Sequence, residues 1–223
     1  MIQVTKASGQ LEPLSLDKVR SSLRRAGADA PTIDRILLAL KPALYDKIQT
    51  REVYAQVFKL LSQFAPQSAY RYRLKPTLME LGPDGYRFEE FIGRLFAALG
   101  YQIKLRQILA GRCVNHEVDV VAEKLDQRLI IECKFHNRSG IKAEIKDALY
   151  TQARFTDIDQ AAPGKYKQIW LVTNTKLTSQ AIAYGRCQHM GLLAWRYPVN
   201  AGIEKLIDKY DLYHLLKLGY SEK

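Results

Sequence analysis

The segment VDVVAEKLDQRLIIEC, residues 118–133, constrains this chain more than any other. Two short runs, VDVVA and LIIEC, are almost wholly apolar and flank the polar stretch KLDQR. Short runs rich in Val and Ile, bounded by a polar break, read as buried strands joined in a hairpin. Yet Asp119 stands inside the first run, and Glu132 and Lys134 stand at the end of the second.

Side chains alternate along a strand. Glu132 and Lys134 therefore share one face, and Ile131, Cys133 and Phe135 take the other. On the preceding strand Glu117 and Asp119 share a face opposite Val118 and Val120. A hairpin register can bring Asp119 beside Glu132. Two carboxylates held together in a partly apolar place repel, at a cost in free energy, unless a cation lies between them. Mg²⁺ or Mn²⁺ suits oxygen ligands. Such an ion lowers the pKa of a bound water and stabilises charge on a phosphoryl group. The Lys134 ammonium could orient the attacking water or stabilise developing charge. The same residues also permit a structural reading, with Asp119 and Lys134 as a cross-strand ion pair and Glu132 as an edge charge against aggregation.

Around the hairpin, helical and strand periods alternate. YRFEEFIGRLFAALGY reads as a helix ending at Gly100, with Phe88, Phe91, Ile92, Leu95, Phe96 and Leu99 toward the core. Strands follow at YQIKLRQIL, HEVDVVA and RLIIECKF, then a helix over IKAEIKDALYTQARFTDI. IWLVTN is a buried strand, SQAIAYGRCQHM a helix, LLAWRYP a last strand, and a short helical tail closes the chain. The order α-β-β-β-α-β-α-β predicts a mixed α/β layer structure. Trp170 and Trp195 fall in apolar strands and read as core.

Residues 1 to about 80 have a different character. A small hairpin with Gly9 in its turn precedes four helices. These are LDKVRSSLRRAG, opened at Ser15 or Leu16 and ended by Gly27; TIDRILLALKPAL; REVYAQVFKLLSQF, capped by Thr50; and SAYRYRLKPTLMEL, which Pro76 should end or kink. LGPDG, residues 81–85, is the best linker, so two domains are expected, 1–82 and 83–223.

The net charge of +11, with a pI near 9.5, fits an anionic partner, nucleic acid first and an acidic membrane surface second. Cys113, Cys133 and Cys187 are far apart, with no CxxC, and the four histidines lack HExxH spacing, so reduced thiols and no zinc are expected. The opening MIQVTKASGQ lacks an apolar signal region, and no apolar run reaches about 18 residues, which predicts a cytoplasmic protein without a membrane partner. No GxxxxGK[ST] appears, so ATP hydrolysis is not expected.

Asp119, a gap, then Glu132-Cys133-Lys134 resembles the motif of the PD-(D/E)xK nucleases, and the order of elements resembles their α-β-β-β-α-β core. In detail, GYRFEEFIGRLFAALGY, VDVVA, IIECKF and LVTNTKLTSQAIAYG look like the Mrr-like restriction endonucleases, over residues 84–198. The resemblance implies a restriction-endonuclease-like domain and a Mg²⁺- or Mn²⁺-dependent endonuclease acting on DNA, double-stranded by preference. Asp119 and Glu132 would bind metal, and Lys134 would assist the nucleophile. Glu89 matches the acid that often completes the metal set, with Glu90 a competing choice one residue on. Gln152 looks like a helix glutamine that relatives place near the site, although the tyrosine expected four residues later is Thr156 here. Many Mrr-like relatives carry Gln-x-Lys where this chain has Glu-x-Lys. His116 is a candidate phosphate contact, Glu117 a further ligand, and His136 and Arg138 candidate contacts to the nucleic-acid backbone.

VTKASGQLEPLSLDKVRSSLRRAGA resembles the ATP-cone, the nucleotide-sensing module of ribonucleotide reductases and their repressor, and IQTREVYAQVFKLL and AYRYRLKPTLMELG look like its later helices. The resemblance implies an adenine nucleotide, ATP or dATP, bound near Val4, Lys6, Glu12, Lys18, Thr50 and Tyr54. It also implies control through assembly, hence a homo-oligomer, dimer or larger. The frequent Lys-Arg-Asp-Gly of that module reads Lys6-Ala7-Ser8-Gly9 here. The rival functions are a non-cutting, nucleotide-responsive DNA-binding regulator, a nuclease acting on RNA or branched DNA, and a basic interaction protein.

Overall fold

The computed structural model describes residues 2–6, 8–82, 85–138 and 140–220, with backbone alone at 217–220. The chain forms two compact units, Met1–Lys75 and Pro76–Lys223.

In the first unit, β1 (Gln3–Thr5) and β2 (Leu11–Pro13) form the expected antiparallel hairpin, with Gly9 at φ 81° in its turn. A third strand, β3 (Ile48–Gln49), joins β1 in parallel, an addition too short to leave a periodic signal. Helix α1 (Leu16–Arg25) starts at Ser15, whose hydroxyl accepts the Lys18 N–H at 3.3 Å. Helix α2 (Ala30–Leu40) starts earlier than expected because Asp29 caps it, accepting the Thr32 N–H at 3.0 Å.

Helix α3 (Thr50–Phe64) corrects the expectation for Thr50. Gln49 holds the cap position, because Ile48–Gln49 is engaged in the sheet and the chain turns helical directly after it. Thr50 is then the first helical residue, and its hydroxyl donates to the Thr5 carbonyl at 3.1 Å. Leu23, Ile33, Ile36, Leu40, Val57 and Leu61 make the core of this unit.

Helix α4 (Pro66–Met79) runs through Pro76 instead of ending there. A proline has no N–H to give to the carbonyl four residues back, here Tyr72. The Tyr54 hydroxyl donates to that Tyr72 carbonyl at 3.0 Å and replaces the missing donor.

The second unit carries a five-stranded sheet of order β10-β8-β6-β5-β4. Helix α5 (Tyr86–Ala98) leads into β4 (Gln102–Ala110), β5 (Asn115–Lys124) and β6 (Gln127–Lys134), an antiparallel meander. A short β7 (Lys142–Ala143) and helix α6 (Ile145–Ala161) cross over to β8 (Gln168–Thr173), which pairs with β6 in parallel. Then come β9 (Lys176–Leu177), α7 (Ser179–Cys187), β10 (Gly191–Leu193) and α8 (Ile203–Lys209). β7 and β9 form a separate two-stranded ribbon. The last strand is shorter than LLAWRYP predicts, because the Trp195 N–H turns away to the Thr175 carbonyl at 3.1 Å.

Helices cover both faces of the sheet. Val118, Val121, Ile130, Ile169 and Leu171 share a core with Ala148 and Ile158 of α6 and Ala181 of α7. On the other face, α5 comes so close that a Cβ on Gly93 would lie 3.0 Å from Leu105 and 3.1 Å from Ile103. Phe96 of α5 meets Trp170 edge-on at 5.4 Å. Of the expected linker, Pro83 and Asp84 lie outside the described residues, and Gly82 and Gly85 have φ of 122° and 81°. No helix among the described residues is long and apolar enough to cross a membrane.

Candidate active site

The β5–β6 ladder runs from Lys124↔Gln127 to Val120↔Ile131 and stops there. One step further in the same register places Asp119 opposite Glu132. At that step a side chain replaces a ladder bond, as Asp119 Oδ2 accepts the Cys133 N–H at 2.6 Å. The β4–β5 ladder also skips one pair, between Leu105↔Val120 and Gln107↔Val118. The residue skipped on β4 is Arg106, with φ 49°. This break rotates the strand. Val118 joins Val121 in the α6–α7 core, while Val120, paired with Leu105, faces α5. Strict alternation had put Val118 and Val120 on one face, and the interruption at Asp119 corrects that.

Glu89 comes from the first turn of α5, with only 12% of its side chain exposed. Burial, and then the negative charge of Asp119, push its carboxyl up to about 7. Burial and the same neighbour push Glu132 up to about 7, with Glu89 adding to the effect. Asp119 is raised too, chiefly by burial, against the pull of its bond from Cys133. Glu89 and Glu132 therefore both feel Asp119, and burial disfavours the anion of all three. Glu90 also lies 3.5 Å from Arg106, at Nη2, but 46% of its side chain is exposed, which distinguishes it from Glu89.

Around this acidic centre stand cations. Arg106 Nη1 is 3.5 Å from Glu89 Oε2, too long for a strong hydrogen bond, and that oxygen is buried with no hydrogen-bond partner among the described residues. Arg154 Nη1 donates to Glu132 Oε2. Lys134 is 47% exposed, with Nζ 3.3 Å from Asp147 Oδ1 in the first turn of α6. Gln152, on the same helix, has a buried Oε1 with no partner among the described residues.

Other predicted residues go elsewhere. His116 Nε2 lies 2.8 Å from Asp157 Oδ2, and Asp157 also accepts the Cys113 N–H at 2.9 Å. These bonds, His116 first, hold the Asp157 carboxyl down at about 2 and tie the β4–β5 turn to α6. Glu117 is exposed. The His136 backbone is clamped by Asn174, which accepts its N–H at 2.9 Å and donates to its carbonyl at 2.8 Å. Burial lowers the His136 pKa, so its ring is neutral near pH 7, and Arg138 is exposed.

Of the nucleotide candidates, Lys6 and Lys18 meet at Glu12, at 2.7 and 3.4 Å. Val4 is a core residue, 5% exposed, rather than an open wall for a base. Tyr54 stacks on Tyr72 at 4.7 Å.

Three residues of the site were missed: Arg106, Asp147 and Arg154. Asp147, Tyr150 and Arg154 recur at helical spacing, i, i+3 and i+7, so a charged stripe on α6 was legible. Nothing in the sequence marked Arg106, whose place depends on an irregular backbone.

Among the described residues, no three His, Cys, Asp or Glu side chains form a ready metal cage. Mg²⁺ does not require one, since it binds through one or two carboxylates and keeps several waters. The orphaned Glu89 oxygen and the raised carboxyls fit a divalent cation.

A sheet of this topology, flanked by helices and opened at a carboxylate cluster, has the architecture of a restriction-endonuclease-like nuclease. The Mrr_cat family model, described as restriction endonuclease, matches residues 82–195, and the chain belongs to that family. Nucleases of this PD-(D/E)xK-like type usually use Mg²⁺ or Mn²⁺. An uncharacterized protein of Archaeoglobus fulgidus is 40% identical over 122 residues, which span 55% of this chain and 68% of that relative. A crystal structure of a protein of unknown function aligns with a TM-score of 0.53 and 38% identity, over 56% of this chain and 66% of that one. The chain thus spans about two thirds of the length of these two relatives. The MspJI restriction endonuclease, solved with a 27-mer oligonucleotide, aligns at 12% identity and a TM-score of 0.38, over 81% of this chain and 41% of that one.

Proposed function

We propose that this protein is a metal-dependent endonuclease that hydrolyses phosphodiester bonds in DNA. The observation that carries the reading is the cluster of Asp119, Glu132 and Glu89, partly buried and all raised above the usual carboxyl range, with Asp119 pushing up both glutamates and Lys134 beside them. Burying like charges spends stability, and a fold keeps such a cost where it serves chemistry. Asp119, Glu132 and Glu89 would hold Mg²⁺ or Mn²⁺. The bound ion would supply an acidified water and charge stabilisation at the phosphorus.

The chain's own groups have separate tasks. The Cys133 N–H fixes the Asp119 carboxylate through Oδ2 and so orients the group. Asp147 steadies the Lys134 ammonium at the site mouth, where it can orient the attacking water or neutralise developing charge. Gln152 offers a buried acceptor from α6. The net charge of +11 favours phosphate contacts without regard to sequence.

Residues 1–82 are proposed as an ATP-cone-like regulatory domain and 83–223 as the nuclease domain. Lys6 and Lys18, now shared by Glu12, would turn to the phosphates of ATP or dATP. The start of the 15-residue helix α3, at Thr50, supports an anion there. Nucleotide would change assembly, from a dimer or larger, and through it the cutting rate.

The test is cleavage of supercoiled plasmid with Mg²⁺ or Mn²⁺, with and without ATP, by wild type, Asp119→Ala and Lys134→Ala. Metal-dependent nicking or linearisation lost in both variants is expected. Wild type that binds plasmid but never cuts it would replace the nuclease with a regulator. Unchanged oligomer size and rate with ATP and dATP would remove the nucleotide role.

A further inference from the structure

Arg154 stands where a cation belongs. Its Nη1 donates to Glu132 Oε2, and its Nη2 donates to the Tyr150 hydroxyl at 2.9 Å. The guanidinium lies 4.9 Å from the centre of the Tyr150 ring. Its side chain is 11% exposed, and its Nε is buried without a hydrogen-bond partner among the described residues. A buried arginine normally satisfies its whole fork. This one is held along a single edge, with a donor unspent.

Its charge acts on Glu132 and on Asp119 alike, opposing what burial does to both. That is the service a divalent ion would perform for the same two carboxylates. A guanidinium and a divalent cation cannot both crowd one carboxylate in a half-buried site without strong repulsion.

We propose that Arg154 is a resident cation, which holds Glu132 in the DNA-free protein and yields it to metal when a substrate phosphate draws the guanidinium away. The inference rests on the reading of Asp119 and Glu132 as metal ligands. Chemistry favours the exchange, because a planar guanidinium pairs with a phosphate in the same two-pronged way as with a carboxylate. Tyr150, 61% exposed, offers a ring face along which the guanidinium can turn toward solvent. The consequence is coupling. DNA raises metal affinity and metal raises DNA affinity by the same factor. Without DNA the site stays neutralised and largely unloaded, which restrains unprogrammed hydrolysis.

The experiment is calorimetric titration with Ca²⁺, which reads binding without turnover, with and without a short DNA duplex. Wild type should bind Ca²⁺ about tenfold tighter with the duplex, within the usual range of coupling between sites. Arg154→Gln, free of DNA, should bind Ca²⁺ about tenfold tighter than wild type and lose most of the duplex effect. Arg154→Lys keeps the competing charge and should stay near wild type. Tyr150→Phe loosens the tether from an exposed position and should shift affinity in the same direction as Arg154→Gln, by less. It decides the matter if Arg154→Gln fails to fold. Folded variants that bind Ca²⁺ no tighter than wild type overturn the inference, as does a wild type indifferent to duplex. Metal-dependent plasmid cleavage would survive either result, so the nuclease reading would stand. Absence of both Ca²⁺ binding and cleavage in wild type would remove the two together.

Discussion

Glu12 and Glu132 each lie among cations, yet their protons behave in opposite ways. Glu12 is lowered, first by its hydrogen bond from Lys6, in a pair open to solvent. Glu132 is raised to about 7 although Arg154 touches it, because burial and Asp119 outweigh one guanidinium. Water, more than the count of positive neighbours, makes the difference. In the first unit the ion pairs are solvated and cost little to keep or to exchange for a ligand. In the second, the carboxylates are held at a standing cost. The physical warrant for chemistry is therefore stronger at Glu132 than the warrant for a ligand is at Glu12.

The largest test of that contrast is catalytic. Asp119→Asn keeps size and removes charge, and Lys134→Ala removes the ammonium. Each should slow plasmid cleavage on the order of 10²–10³-fold, the usual loss when one stabilising group leaves an active site. Single-turnover rates at saturating metal would measure it. In the first unit, Lys6→Ala should weaken ATP binding by roughly tenfold, about 1.4 kcal/mol. A nucleotide affinity unmoved by Lys6→Ala would leave Lys6 a solvated ion-pair partner of Glu12 with no part in holding nucleotide.

Next comes the dependence of stability on pH. With Glu89 and Glu132 near 7 in the folded chain, against a usual 4.5, the folded state keeps protons that the unfolded state has already released. Metal-free stability should therefore fall as pH rises from about 5 to 8, by roughly 2–4 kcal/mol for the two groups together. Saturating Mg²⁺ or Glu132→Gln should flatten the slope, as urea unfolding in EDTA or Mg²⁺ would show. Asp157 works the other way. Its carboxyl is held at about 2, below the ordinary 3.8, so its contribution is present above that ordinary value and is lost as pH falls through about 2. Glu12 should add no neutral-pH slope of either sign. A flat metal-free profile from pH 5 to 8 would break the comparison.

Much of this was legible in the chain, for reasons that differ by residue. Asp119 and Glu132 were visible because acids stand out inside VDVVA and LIIEC, and the hairpin around KLDQR fixes which residues can face each other. Glu89 and Glu90 could not be separated by periodicity, since adjacent residues on a helix differ by only about 100°. The packing of α5 on β4 separates them, and that depends on Gly93 against Ile103 and Leu105. Arg106 was illegible because its role follows from a left-handed backbone in mid-strand. β3, β7 and β9 were illegible because two residues carry no period. Resemblance to the ATP-cone makes Tyr54 and Val4 ligand contacts; in the structure the Tyr54 hydroxyl donates to the Tyr72 carbonyl and Val4 lies in a core.

The smallest expected effect sharpens the first unit. If the Tyr54 hydroxyl serves the Tyr72 carbonyl, Tyr54→Phe leaves a backbone acceptor unsatisfied and should cost about 1 kcal/mol. Pro76→Ala restores a backbone N–H four residues on from Tyr72, so the same carbonyl gains its ordinary helical partner. In the Pro76→Ala background, Tyr54→Phe should then cost about half as much or less, a coupling on the order of 0.5 kcal/mol in a double-mutant cycle. ATP affinity separates the roles. A hydroxyl that only repairs α4 leaves nucleotide binding unchanged in the folded Tyr54→Phe protein. A loss of affinity there, with no coupling to Pro76, would return Tyr54 to the ligand and leave the Tyr72 carbonyl to solvent.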